Sequence, residues 1–241
     1  MIGWLTELIG NSFLKLFWPA RCLGCGFEGD YWCPLCANRA RFLKQEVCPV
    51  CRSDVYDGCL CVKNDNHPDK LWCLGEYEDL KLQNSLKIVK YDLAYRLLSP
   101  VWSQSLVDFY NANKDRLPND LLLVPIPLHQ NKLLKRGFNQ SFLIADLLAQ
   151  VSGWQATQLL LRLKDNQSQT NKNFAQRQKN VEGIFGVNLG VISDFYQRPI
   201  LLIDDVYTTG ATLTEAVKTL KMMGFNRVFA LTLLVTRKNI V

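Results

Sequence analysis

The chain has 241 residues, of which 48% are hydrophobic and 21% charged, a balance that excludes a disordered or fibrous protein and fits one or two globular domains. The formal net charge is +6. All of the excess falls after residue 75, because residues 1–75 carry eight basic and eight acidic side chains; a basic second half suits phosphate-bearing ligands or nucleic acid.

In MIGWLTELIGNSFLKLFWPA the apolar residues Trp4, Leu5, Leu8, Ile9, Phe13, Leu16 and Phe17 recur at helical spacing until Pro19 stops them. Thr6, Glu7, Asn11, Ser12 and Lys15 interrupt the stretch, so it reads as a short helix packed on its own domain and not as a transmembrane span. It lacks the basic n-region and cleavage site of a signal peptide, which leads us to expect a cytoplasmic protein.

Eight of the nine cysteines then fall in four close pairs: Cys22/Cys25, Cys33/Cys36, Cys48/Cys51 and Cys59/Cys61. A CxxC pair on a tight turn aims two thiolates at one metal, and two facing turns complete a tetrahedron. CLGC with CPLC forms one zinc set, and CPVC with Cys59 and Cys61 the second, in sequential and not cross-braced order. CLC is one residue short of a regular knuckle, which leaves His67 as an alternative donor. With all four positions filled by protein, these zinc ions are structural: so small a module needs metal to fold, and no open position remains for substrate. Cys73, in LWCLGEY, reads as a small buried apolar residue.

The polar run VKNDNHPDK ends the cysteine region and sets a division near residue 75, with an N-terminal helix and double zinc ribbon in 1–75 and a second domain in 76–241. From EYEDLKL to VDFY the spacing predicts helix, with a break at Pro100. LLLVPIP predicts a buried parallel strand, and a helix follows at about 139–150. TQLLLRL and GIFGV predict strands on either side of a polar, amide-rich loop. RPILLIDDV is the clearest strand, TLTEAVKTLKMMG a helix closed by Gly224, and RVFALTLLVT a last strand. Strands alternating with helices predict an α/β fold with a parallel sheet.

The chemistry concentrates in PILLIDDVYTTGAT. Ile200–Ile203 bury the strand, and Asp204 and Asp205 stand where it ends, the place where open α/β sheets bind ligands. Val206, Tyr207, Thr208, Thr209, Gly210, Ala211 and Thr212 turn the chain into a helix whose first amides form a phosphate cradle. Two carboxylates beside such a cradle suit a phosphorylated sugar, accepting hydrogen bonds from ribose hydroxyls; one can also hold a water on a divalent cation.

LLIDDVYTTGAT resembles the phosphoribosyl pyrophosphate signature of type I phosphoribosyltransferases, and VPIPLHQNKLLKRGFNQS with RLKDNQSQTNKNFAQRQKNVEGIF resembles the ComF competence family over nearly the whole chain. The irregular Cys59/Cys61 pair is the main departure. The resemblance implies a zinc module before a phosphoribosyltransferase fold. It places a pyrophosphate loop at Pro125–Leu128, including Pro127 and Leu128, and a positive charge at Arg136 with Asn139 and Gln140 beside it. It also implies a loop at 164–180 that closes over the substrate, with Gln169, Arg177 and Asn180.

Two functions follow from the resemblance. One is a protein that binds phosphoribosyl pyrophosphate or a nucleotide and serves DNA uptake, in contact with single-stranded DNA and DNA-uptake proteins. The other is a magnesium-dependent phosphoribosyltransferase of nucleotide metabolism or salvage, with Asp204, Asp205 and Arg136 at the reacting centre. Lys81, Lys87, Lys90, Lys132, Lys135 and Arg136 are candidates for tracking phosphates, and Phe27, Tyr31, Trp32 and Trp72 for stacking on bases.

Overall fold

The computed structural model describes residues 21–22, 24–29, 32–40, 42–43, 46–55, 59–89, 94–164 and 182–237. The apolar N-terminal stretch, Tyr31, Lys90, and Gln169, Arg177 and Asn180 of the expected closing loop lie outside them. Two compact units separate, one up to Ala40 and one from Arg41 onward.

In the first unit the described residues form two turns facing each other. The Cys22 amide donates to the Phe27 carbonyl (2.8 Å) and the Gly26 amide to the Cys22 carbonyl (2.7 Å), which folds the first knuckle. Gly26 takes a left-handed φ of +77°, as that turn requires. The helix α1 (Pro34–Arg39) starts at the second pair, with Pro34 in its first turn where a missing amide costs nothing.

Among the described residues the second unit has seven strands. They are β1 (Leu71–Glu76), β2 (Leu122–Pro125), β3 (Gln155–Ala156), β4 (Leu160–Arg162), β5 (Phe185–Val187), β6 (Ile200–Tyr207) and β7 (Val228–Val235). Five of them make one parallel sheet in the order β1-β7-β6-β2-β3. The described helices are α2 (Leu80–Val89), α3 (Ala94–Asn113), α4 (Gln130–Arg136), α5 (Gln140–Ser152), α6 (Ile192–Phe195) and α7 (Ala211–Met222). None of the described helices is long and apolar enough to cross a membrane.

Helices cover both faces, which is why β6 and β7 carry unbroken apolar runs and not alternation. On one face Leu122, Val124, Ile200, Leu202, Val228 and Ala230 meet Leu213, Ala216, Val217 and Leu220 of α7. Leu123, Leu201, Ile203 and Leu231, the alternate residues, are fully buried on the other, where α3 and α5 lie against each other and α5 against β2 and β6.

Several sequence expectations change. The predicted division near residue 75 falls inside β1, which pairs with β7 from Leu71↔Ala230 to Glu76↔Val235. The segment around Cys73 is therefore an edge strand of the main sheet. No break occurs at Pro100, because α3 runs through it. Its downstream residues Trp102, Leu106 and Phe109 are buried, and that packing outweighs the one backbone bond a proline forfeits. The strands predicted from TQLLLRL and GIFGV both form, but as an antiparallel pair apart from the main sheet. β3, two residues long, has no apolar run to announce it.

The loop after β2 is held by Asn139. Its side-chain oxygen caps α5 by accepting from the Ser141 amide (3.1 Å), and its amide group donates to the Ile126 carbonyl (3.0 Å). We expect Asn139→Ala to cost about 1–2 kcal/mol, as loss of a cap and a partly buried bond, read as a shift in the urea midpoint with unchanged slope.

Candidate functional site

Strand order decides where a ligand can sit. The chain leaves β2 through α4 and α5 towards β3, and leaves β6 through α7 towards β7, so neighbouring strands lead away in opposite directions. A crevice opens at the carboxyl ends of two such strands. It is present here as a cavity of about 310 Å³ lined by residues at the carboxyl ends of β2 and β6. Ile126, Pro127 and Leu128 follow β2, Asp204, Asp205 and Val206 belong to the last part of β6, Thr208 follows it, and Thr212 stands in the first turn of α7. Lys132 and Arg136 of α4, Gln140 and Ser141 of α5 and Arg162 of β4 complete it.

The two carboxylates are fixed unequally. Asp204 Oδ1 accepts from the Ser141 hydroxyl (3.1 Å) and from the Asp205 amide (2.9 Å). Gln140 is 3% exposed; its Oε1 accepts from Arg136 (3.1 Å), and its Nε2 has no partner among the described residues. A buried amide donor beside a cavity is a group that a ligand oxygen would satisfy. Three cations, Lys132 and Arg136 of α4 and Arg162 of β4, share the cavity with the two acids, a mixture that suits a phosphorylated polyol.

The turn after β6 meets the demand for free amides. The amides of Thr208, Thr209 and Gly210 have no protein partner among the described residues, and the Thr209 hydroxyl accepts weakly from the Ala211 amide (3.4 Å). Gly210 is the cap of α7 at φ +81°, and a Cβ there would run into the Tyr207 ring. Of the residues singled out from sequence, Pro127, Leu128, Arg136, Asp204, Asp205, Val206, Thr208 and Thr212 share the cavity, while Thr209, Gly210 and Ala211 shape its turn. Tyr207 does not line it; its side chain is buried and donates to the Pro49 carbonyl (2.7 Å). His129 caps α4, its Nδ1 accepting from the Asn131 amide (3.3 Å).

Sequence reading missed Arg162, Ser141 and the orphan donor of Gln140. Ser141 and Gln140 lie inside the motif RGFNQS already singled out, so proximity to Asn139 was the available signal. Arg162 had none beyond being a lone cation in an apolar strand.

Two tetracysteine groups form: Cys22, Cys25, Cys33 and Cys36, and Cys48, Cys51, Cys59 and Cys61, with the sulfur atoms of each within 4.8 Å of one another. Zn–S bonds of about 2.3 Å require tetrahedral edges of about 3.8 Å. Cys25 Sγ and Cys33 Sγ are 3.7 Å apart, and Cys51 Sγ and Cys59 Sγ 3.4 Å, so both groups can hold zinc. The grouping is sequential. His67 is outside both, its Nδ1 accepting from the Asn64 amide (3.1 Å). Burial works against a Cys51 thiolate, but hydrogen bonds involving Ser53, Cys59 and Cys48 outweigh it and bring the thiol down to about 6. Cys73 stays apart: burial pushes its thiol up to about 12, and Thr232 donates to it (3.2 Å).

Such a fold and site define an α/β protein with an acidic pair and a Thr-Thr-Gly turn at its switch point and two tetracysteine groups. No protein-family profile matches the chain. It is similar to competence protein F of Haemophilus influenzae, 26% identical over 86% of this chain and 81% of that protein. It is also similar to competence protein ComFC of Bacillus subtilis, 28% identical over 80% and 78%, and to the DNA utilization protein YhgH of Escherichia coli K12, 26% over 80% and 85%. These likenesses support the resemblance to the ComF family.

Gly210→Ala should destabilise by about 1–3 kcal/mol, measured by urea denaturation, because alanine must take a left-handed backbone against the Tyr207 ring. Elemental analysis of the chain purified without chelators should find two zinc ions per molecule, and Cys22→Ser with Cys25→Ser should leave one.

Proposed function

We propose that the chain binds phosphoribosyl pyrophosphate, or a nucleotide carrying the same phosphoribosyl group, and acts in handling DNA during natural transformation. The observation that carries the ligand reading is the convergence in one cavity of Asp204, Asp205, the turn at Thr208–Thr212 and the cations Lys132, Arg136 and Arg162. Asp204 and Asp205 would accept from the ribose hydroxyls, the free amides of the turn would take the 5′-phosphate, and Arg136 and Lys132 would face the pyrophosphate after β2. Magnesium would accompany the pyrophosphate, held by hard carboxylate oxygens of the acidic pair directly or through water. Gln169 and Arg177 would close over the ligand from the loop between β4 and β5.

The biological setting comes from the names of the relatives, which are competence and DNA utilization proteins. A positive second half supports contact with the phosphates of single-stranded DNA. Among the residues weighed for that contact, Phe27 is exposed and free to stack, whereas Trp32 and Trp72 are buried. In this reading the cysteine groups within the first 75 residues form the double zinc ribbon, the sheet that β1 joins binds the ligand, and the protein works in the cytoplasm with DNA-uptake proteins.

Asp204→Asn with Asp205→Asn tests the ligand reading. Calorimetric titration of the zinc-loaded protein with phosphoribosyl pyrophosphate and magnesium should show the affinity lowered by at least about a hundredfold, since each lost charge-assisted bond is worth about 1.5–3 kcal/mol. Equal affinity in the double variant and the parent would exclude this cavity as the ligand site. Single-strand DNA binding should weaken steeply between about 50 and 200 mM salt, and a flat dependence would remove the nucleic-acid role.

A further inference from the structure

The second cysteine group is not a free-standing module. Its first knuckle, Cys48–Cys51, sits against the carboxyl ends of β6 and β7 through bonds made by residues that the metal does not use. The first is the Tyr207 hydroxyl on the Pro49 carbonyl (2.7 Å), with Pro49 between the two cysteines. The second is Arg52, whose guanidinium donates to the Thr236 carbonyl (3.1 Å). The third is Arg237, which donates to the Arg52 carbonyl, to Asp54 (2.8 Å) and to Glu76 (3.1 Å). Thr236 in turn donates its amide to the Tyr207 carbonyl (2.9 Å), so knuckle and strand ends form one connected network.

Arg52 shows that this docking is specific. It occupies the position directly after the knuckle, where the first knuckle has Gly26, and makes the same backbone bond back to the first cysteine of its pair. Both residues are left-handed, Gly26 at φ +77° and Arg52 at φ +67°. Glycine is at ease there, and arginine is strained. Arg52 is nonetheless only 7% exposed, its cationic head committed to the sheet. A costly residue at a place where a cheap one would turn the chain equally well points to a role beyond the turn.

The phosphate turn meets the same end of Tyr207. Gly210 approaches the hydroxyl end of the ring so closely that it has no room for a side chain. That end of the ring thus touches both the Pro49 carbonyl and the backbone of Gly210, and ties the knuckle to the turn that carries the amides of Thr208–Gly210. Burial pushes the Tyr207 phenol well above its ordinary range, so the hydroxyl stays protonated and donating at any physiological pH.

We propose that metal in the group Cys48, Cys51, Cys59 and Cys61 acts as a strut for the phosphate turn, with Tyr207 as the positioning residue, so that metal occupancy and anion binding at Thr208–Thr212 are linked equilibria. This rests on the reading of that turn as a phosphate site. Metal fixes the knuckle, the knuckle fixes the Pro49 carbonyl, and the carbonyl orients the ring under Gly210. Linkage is reciprocal: if metal improves ligand affinity by some factor, ligand holds the metal by the same factor.

The test uses the full chain, zinc-loaded, beside two variants. Cys59→Ser with Cys61→Ser vacates the second group at its more exposed pair, and Tyr207→Phe removes only the hydroxyl. The first readout is hydrogen exchange of the Thr208–Thr212 amides without ligand, and both variants should exchange faster there than the parent. The second is affinity for phosphoribosyl pyrophosphate, which should fall about fivefold or more in each. The third is zinc release to a chromogenic chelator, which phosphoribosyl pyrophosphate should slow in the parent and leave unchanged in Tyr207→Phe. A ring with a merely packing role would not transmit that protection. Should the cysteine variant fail to fold, Tyr207→Phe carries the test alone. Unchanged exchange at Thr208–Thr212 in Tyr207→Phe would overturn the strut. Faster exchange together with no affinity in the parent would uphold the strut and overturn the ligand.

Discussion

Parallel pairing of β6 with β2 is the constraint on which the site depends. Its register, Ile200 opposite Leu122 and Ile203 opposite Pro125, ends β2 just where the acids of β6 begin, so that the segment after β2 and the last part of β6 share one space. Asp204 and Asp205 then stand beside Ile126–Leu128 with no long loop needed to bring them there. Slipping this pairing by one residue would flip every side chain of β6 to the other face and exchange the places of the two acids. The fully buried run Leu121–Val124 and the equally buried Ile200–Ile203 make that slip prohibitive.

From that register the polar parts follow in order. α5 begins at Asn139 because its side chain caps the helix and holds the loop after β2. The next two residues are thereby delivered to the cavity, Gln140 with its unpartnered amide and Ser141 with a hydroxyl on Asp204. Tyr207 does not line the cavity, and its bond to Pro49 joins the end of β6 to a cysteine knuckle. A single strand therefore delivers its acids to the cavity and its terminal tyrosine to the knuckle.

Much of this was legible in the sequence. Unbroken apolar runs such as Ile200–Ile203 and Leu121–Val124 can hardly be anything but buried strands, and the acidic pair and the threonines after it do line one cavity at the strand ends. Cysteine spacing announces two groups, and the structure assigns the pairs to them in sequential order. What escaped was whatever depends on distant partners. Leu71–Glu76 is a strand because β7 offers it an edge, and its own letters sit between a polar run and a helix. Arg162 reaches the cavity only because β4 and β5 pair outside the main sheet. The bond between Tyr207 and Pro49 spans 158 residues, which no local pattern encodes.

The account's central claim is that the turn after β6 offers its backbone amides to a phosphorylated sugar. Amide chemical shifts of the zinc-loaded, isotope-labelled protein, followed during titration with phosphoribosyl pyrophosphate and magnesium, test it most directly. The account predicts the largest saturable shifts at Asp205–Thr212, with the Gln140 side-chain amide moving alongside them. Shifts confined to other surfaces, or a turn that stays unperturbed at saturating ligand, would contradict it.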